Sequence, residues 1–212
     1  YSEKISPAQI VKLAKELDCR SISYTYNEPA VFLEYALETM VLARKAGLKN
    51  IFVTNGFGSR ESFALFKNYL DGANIDLKSF NPAFYQKICR GKIQPVLENI
   101  GKYYRTGIWV EITTLIIPGK NDTNRELEQI AEFIASISPT IPWHLSAFHP
   151  DYKMIDRPVT SLNKLKEAWE IGKKAGLKYI YLGNIYDPKH SSTYCPSCGK
   201  LLISREGLET KI

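Results

Sequence analysis

The sequence predicts an α/β fold in which helices cover a parallel sheet, and two observations predict it. The first is an internal repeat. "KAGLKNIFVTN" at 45–55 recurs as "KAGLKYIYLGN" at 174–184, each copy ending a helix on glycine, turning, and entering a β-rich run that stops at asparagine. The second is alternation: β-rich runs at 21–25, 50–54, 74–78, 108–117, 143–148 and 178–183 are separated by segments of helical periodicity. Strict alternation implies right-handed βαβ crossovers and a parallel sheet, either open and doubly wound or closed into a full or partial barrel.

The elements follow in order. Ser6-Pro7 supply a cap and a first-turn proline, after which Ile10, Val11, Leu13, Ala14 and Leu17 fall on one helical face. Gly47 and Gly176 read as the residues just past two helices, where glycine accepts the left-handed conformation that satisfies the last carbonyls. "DGANIDLK" with Gly72 and "TGIWVEITT" with Gly107 follow the same grammar more loosely. Leu127, Ile130, Ala131, Ile134 and Ile137 form a second apolar stripe, and Leu162, Leu165, Ala168 and Trp169 a third. Trp109, Trp143 and Tyr181 read as packing residues. From residue 186 the pattern stops, and "DPKHSSTYCPSCGKLLISREG" reads as a small irregular tail. The expected division is therefore a barrel-like domain over 1–185 and a tail over 186–212.

Composition narrows the function classes. With 212 residues, 44% of them hydrophobic, the chain can bury one sizeable core. Its net charge of +6 is scattered over helices rather than massed in a stripe, which favours solvated helix faces over a nucleic-acid partner. The longest apolar runs, such as "TTLIIPG", fall far short of the ~20 residues that cross a bilayer, and no charged-then-apolar leader opens the chain. The expectation is a cytoplasmic protein with no membrane partner. The chain opens on Tyr1 rather than Met, so a segment upstream is expected. Cys19 and Cys89 stand alone, whereas Cys195 and Cys198 form "CPSC", a close pair that favours metal or redox chemistry over a structural disulfide. Asn121-Asp122-Thr123 matches a glycosylation acceptor and, without secretion, reads as a loop.

Function in parallel α/β folds collects at the C-terminal ends of strands. Those ends are polar here: Tyr26-Asn27-Glu28, Thr54-Asn55-Gly56, Asp76 with Lys78, Glu111 with Thr113 and Thr114, "SAFHPDY" with His149, and Asn184. Asp76 and Lys78 are two apart, as are Glu111 and Thr113, so each pair shares one face of its strand. Either Asp76 and Lys78 bind a ligand in a polar pocket, or they form a buried salt bridge with each other or with Glu28.

Six ordered blocks then carry a resemblance: "SYTYNEPAVFLEY", "GLKNIFVTNGF", "IDLKSFNPAFYQKICRG", "GIWVEITTLIIPGKND", "WHLSAFHPDYKM" and "TYCPSCGKLLISREG". Together they resemble the radical S-adenosylmethionine (SAM) enzyme of the AmmeMemoRadiSam system, which is similar to pyruvate formate-lyase activating enzymes. The resemblance implies a partial (β/α)6 TIM-like barrel, lacking its first strand and cluster loop in this chain, that holds S-adenosylmethionine against a four-iron four-sulfur cluster. It implies one-electron cleavage of the cofactor to a 5′-deoxyadenosyl radical, which abstracts hydrogen from a substrate. Relatives carry Gly-Gly-Glu-Pro where this chain has Tyr26-Asn27-Glu28-Pro29, so Glu28 matches the residue that binds the cofactor's amino group. Asn27 replaces a glycine and offers a side-chain contact where relatives offer close backbone approach. Thr54, Asn55, Asp76 and Lys78 match positions near the ribose and the methionine carboxylate, and His149 a position near the adenine. With Glu111 these are the candidate cofactor-binding residues. Val53 stands where some relatives carry a cation-binding aspartate, and that site is not expected.

The family's CxxxCxxC loop is missing, and Cys19 and Cys89 lack its spacing. The cluster ligands are therefore expected outside this chain, which alone would be inactive. The CPxCG knuckle of Cys195 and Cys198 is a half-site for tetrahedral zinc, with His190 either a third ligand or a plain loop histidine. The resemblance implies further cysteines upstream. It also implies an electron donor such as flavodoxin or ferredoxin, and a substrate that is a small molecule or a partner protein. Two other readings stay open: a Schiff-base barrel lyase with Lys78 as nucleophile, and a non-catalytic zinc-knuckle binding module.

Overall fold

The computed structural model describes residues 4–207 and 209–212. Strands β1 (Ser21–Tyr24), β2 (Lys49–Thr54), β3 (Gly72–Asp76), β4 (Trp109–Ile116), β5 (Trp143–Ala147) and β6 (Ile180–Gly183) alternate with helices, and strand order in the sheet follows the chain. The chain divides into two compact units. One holds the chain through Asp76 with Gln94–Val110, the other Leu77–Ile93 with Glu111–Ile212.

In the first unit β1, β2 and β3 pair in parallel, Ser21 opposite Lys49 and Ile51 opposite Gly72. Helix α1 (Pro7–Glu16) begins with the expected cap: Ser6 and Gln9 exchange side-chain to backbone hydrogen bonds in a capping box. Its buried face is narrower than the sequence suggests. Val11 and Ala14 pack with Ala43 and Leu48, Ala43 belonging to helix α2 (Leu33–Lys45), while Leu13 and Leu17 are exposed. The other side of the core is aromatic. Phe63 and Phe66 of helix α3 (Arg60–Phe66) meet Phe52 and Tyr103, the latter in helix α5 (Ile93–Arg105), with ring centroids 5.0–5.9 Å apart. Gly107 and Gly47 have positive φ as helix-ending residues should, but Gly72 does not. It opens β3, where a Cβ would lie 3.2 Å from Ile51 and 3.5 Å from the Trp109 carbonyl, so close approach rather than helix termination selects glycine there.

In the second unit β4, β5 and β6 pair in parallel, Thr113 opposite His144 and His144 opposite Tyr181. Helices α6 (Asn124–Ile137) and α7 (Leu162–Lys174) bury Leu127, Ile130, Ile134, Leu165 and Ala168. Trp143 is fully buried, and its ring lies so near Gly172 that a Cβ there would meet it at 3.0 Å. Trp109, by contrast, is 61% exposed, because it starts β4 on the face that Glu111 and Thr113 share, opposite the buried Val110 and Ile112.

The tail is more regular than its composition suggests. β7 (Thr193–Tyr194), β8 (Leu201–Glu206) and β9 (Glu209–Lys211) form an antiparallel sheet, preceded by the short α8 (Pro188–Ser191). The knuckle is the turn between β7 and β8: Cys195 N–H donates to Lys200 O (2.8 Å), and Gly199 N–H to Cys195 O (2.9 Å). β7 and β9 have only two and three residues, and the six of β8 are exposed or half-buried throughout, so no alternation marks them in the sequence.

Candidate functional site

Glu28 is the best-determined polar group at the strand ends of the first unit. Thr54 Oγ1 donates to its Oε1 (2.6 Å), Asn55 N–H to its Oε2 (2.7 Å), and Ala30 N–H to Oε1 (3.3 Å). Both carboxylate oxygens are thus held, by two residues of the Thr-Asn-Gly segment and by Glu28's own turn. That segment is fixed in its turn. Gly56 N–H donates to Thr54 Oγ1 (3.1 Å), Phe57 N–H to Asn55 Oδ1 (2.7 Å), and Asn99 Nδ2 to the carbonyls of Gly56 and Gly58 (both 2.9 Å). Gly56 has φ +71°, and a Cβ there would sit 2.7 Å from Ile75 Cγ2, so only glycine fits the turn. Burial, and then the Glu28 charge, push the Tyr103 phenol above its usual range. Asn27 is exposed and follows a cis peptide from Tyr26. Asp76, the last residue of β3, is half-buried.

Lys78 lies beyond β3 rather than within it, since the strand ends at Asp76. In the second unit one backbone bond to β4 follows the strand, and side chains then hold the segment. Leu77 N–H donates to Thr113 O (3.0 Å), and Thr114 Oγ1 to Leu77 O (2.9 Å). Lys78 N–H donates to the Tyr85 hydroxyl (3.1 Å), and Asn121 Nδ2 to Lys78 O (2.6 Å). Past it, the buried Glu126 carboxylate accepts from Ser79 Oγ and from Phe80 N–H. Tyr85 sits where the short helix α4 (Pro82–Phe84) widens into a π-helical turn, Tyr85–Cys89. His149, after β5, is exposed. The residue before it is pinned: Phe148 N–H donates to Thr160 Oγ1 (2.9 Å), which itself donates to Ile116 O (2.5 Å).

Glu111 is not at a strand exit. It is the third residue of β4, so the five that follow carry the strand about 17 Å further at ~3.3 Å per residue. Its carboxylate meets His144 Nε2 at 2.7 Å, and the imidazole stacks on Tyr181 with centroids 5.3 Å apart. Tyr181 in turn reaches Thr193 Oγ1 (3.0 Å), and the Arg205 guanidinium lies over its ring. Sequence reasoning passed over His144, although its signal was present: Trp143, Leu145 and Ala147 are the buried set of β5, which leaves His144 and Ser146 for the polar face.

Cys195 is half-buried and Cys198 exposed, and neither is in a disulfide. The backbone N–H groups of Cys198 and Ser197 hold the Cys195 thiol below its ordinary pKa. His190 is turned to Asp187, its Nδ1 2.9 Å from Oδ1. Among the described residues, no group of three or more His, Cys, Asp or Glu side chains is placed to hold a metal ion. Nor is any helix among them long and apolar enough to cross a membrane.

Comparison with known proteins bears on this arrangement. The model of the Radical SAM superfamily matches residues 1–134, a stretch that includes Glu28, the Thr-Asn-Gly turn, Lys78 and Asn121. The chain belongs to the Radical SAM superfamily. Along 210 residues it is 40% identical to an uncharacterized protein of Methanocaldococcus jannaschii, covering 99% of this chain and 62% of that relative's length. A domain of pyruvate-formate lyase-activating enzyme from Bacteroides vulgatus superposes with a TM-score of 0.68 at 20% identity, covering 77% of this chain and 99% of that one. Streptococcus suis SuiB bound to S-adenosylmethionine superposes with a TM-score of 0.69 at 10% identity, covering 86% and 44%. At these identities the two structures establish the fold, the partial TIM-like barrel of radical SAM proteins.

Proposed function

We propose that this chain is the cofactor-binding core of a radical SAM enzyme, activating-enzyme-like and of the AmmeMemoRadiSam type, in which Glu28 receives the amino group of S-adenosylmethionine. The observation that carries the reading is the Glu28 carboxylate, fixed at both oxygens by Thr54 and Asn55. A carboxylate has about four acceptor directions. Three are taken by Thr54, Asn55 and Ala30, and an ammonium group is the natural occupant of the remaining one. Because Thr54 and Gly56 are buried and cross-linked, Glu28 is oriented before any ligand arrives, which lowers the entropic cost of binding.

Asp76 and Lys78 would hold the ribose and the methionine carboxylate, Asn55 would close the ribose side, and His149 would lie by the adenine. Asn27 would form the exposed lip beside Glu28. When bound, S-adenosylmethionine with a reduced four-iron four-sulfur cluster supplies one-electron cleavage of its sulfur–carbon bond and hydrogen abstraction from the substrate. The described residues do not contain a ligand set for that cluster. The work of this chain is to bind, orient and shield. The substrate, a small molecule or a partner protein, and the electron donor, flavodoxin- or ferredoxin-like, are part of the proposal, as is action in the reducing cytoplasm. Cys19, Cys89, Cys195 and Cys198, none of them in a disulfide, are compatible with that compartment. Zinc at Cys195 and Cys198 would need ligands beyond the described residues.

The test is anaerobic reconstitution of the full gene product with iron and sulfide, followed by reduction and chromatography for methionine and 5′-deoxyadenosine. Both products should form together. A folded, cluster-loaded protein that leaves S-adenosylmethionine intact would overturn the proposal.

A further inference from the structure

We infer that Asn121 is a positioning residue that acts through Lys78, with Tyr85 as its counterpart on the other side of the same peptide. The inference rests on the reading of Lys78 as the partner of the cofactor's methionine carboxylate. Lys78 follows the last strand residue by two positions, where ladder bonding has ended, yet both its backbone groups are held by side chains from elsewhere in the second unit. The Tyr85 hydroxyl accepts from its N–H, and Asn121 Nδ2 donates to its carbonyl.

Asn121 is fully buried and uses its whole amide. Nδ2 also donates to Leu115 O (2.8 Å), and Oδ1 accepts from Ile117 N–H (2.7 Å). The side chain therefore clamps the Lys78 carbonyl to the end of β4 at two points. Buried polar groups are hydrogen-bonded as a rule, so satisfaction alone would be unremarked. The choice of partners is what points to positioning. An amide needed only to finish its own loop would bond Leu115 and Ile117, four to six residues away, whereas the bond to Lys78 spans 43 residues and ends on a proposed ligand-binding position. A lysine has four side-chain torsions of its own, so fixing its peptide is the economical way to fix where its ammonium can reach.

The experiment compares S-adenosylhomocysteine, which keeps the amino-acid carboxylate, with 5′-methylthioadenosine, which lacks it. Calorimetric titrations are run on the full gene product with wild-type, Lys78→Ala, Asn121→Ala and Tyr85→Phe chains, alongside thermal melts. Lys78→Ala should weaken S-adenosylhomocysteine roughly ten- to a hundredfold, the range of one charge-assisted hydrogen bond. Asn121→Ala and Tyr85→Phe should each weaken it about fivefold or more through misplacement, while 5′-methylthioadenosine shifts less than about twofold in every variant. Tyr85→Phe removes only the hydroxyl, and it carries the test if Asn121→Ala fails to fold. Two results overturn the inference. If Lys78→Ala weakens both ligands equally, the reading of Lys78 itself is wrong. If Lys78→Ala discriminates between the ligands but Tyr85→Phe and a folded Asn121→Ala protein do not, Lys78 stands and the positioning role falls.

Discussion

Thr54→Val isolates the bond network beneath Glu28 with almost no change of shape. The hydroxyl makes two bonds that a methyl cannot: it donates to Glu28 Oε1 (2.6 Å) and accepts from Gly56 N–H (3.1 Å). A hydrogen bond to a charged group contributes about 1.5–3 kcal/mol and a neutral one about 0.5–1.5 kcal/mol. Their joint loss should cost about 2–4 kcal/mol, or roughly 4–16 °C in melting temperature for a chain of this size. Thr54→Ser keeps the hydroxyl and gives up one methyl, so it should cost about 1 kcal/mol. Urea denaturation of the three proteins side by side measures the difference. Equal stability of the Val and Ser variants would refute the claim that the hydroxyl, rather than packing, holds the turn.

Further outcomes follow from other parts of the molecule. Asn99→Ala frees the carbonyls of Gly56 and Gly58 and should cost about 1–3 kcal/mol in urea denaturation, with loss of amide protection at Gly56 and Phe57. His144→Ala removes one partner of the half-buried Glu111 and should cost on the order of 1 kcal/mol. Because Glu111 lies early in β4, S-adenosylhomocysteine affinity should stay within about twofold, and a tenfold loss would return Glu111 to the binding site. Asp187 is pushed up by burial, but hydrogen bonds from the His190 side chain and backbone, the His190 charge and Lys166 outweigh this and leave its pKa below the ordinary carboxylate value. A depressed pKa stabilises the fold above the unfolded value of ~3.9, and that stability is lost as pH falls through the folded value. The protection of the His190, Ser191 and Ser192 amides, taken relative to their intrinsic exchange rates, should therefore fall below about pH 4, and Asp187→Asn should abolish that change.

Much of the fold was legible because period-two and period-3.6 patterns are strong in this chain. The alternation of strand and helix, the Ser6 cap and the buried stripes of α6 and α7 were all readable at residue level. Three features were not. Gly72 looked like a helix terminator because sequence spacing cannot separate a positive φ from a close backbone approach. Lys78 looked like a strand residue because apolar and polar residues keep alternating past Asp76, while the side chains that take over from the ladder are Thr114 and Asn121, 37 and 43 positions from their partners, and Tyr85, seven positions on. Asn121 read as a loop residue because an amide's value lies in which carbonyls surround it, which no local pattern encodes. The polar cluster of Glu28 with Thr54 and Asn55 was anticipated as a strand-end pocket. Its internal bonding was not, since it joins residues 26 and 27 positions apart.

The most direct measurement is calorimetric titration of S-adenosylmethionine into the full gene product and its Glu28→Gln variant. The substitution keeps the volume, removes the charge and sets an amide against the Asn55 N–H or the Thr54 hydroxyl. The account predicts measurable binding by the wild-type protein and at least a tenfold loss in a folded variant, about 1.4 kcal/mol or more for a charge-assisted contact. Equal affinity of the two proteins would contradict the assignment of Glu28 to the cofactor.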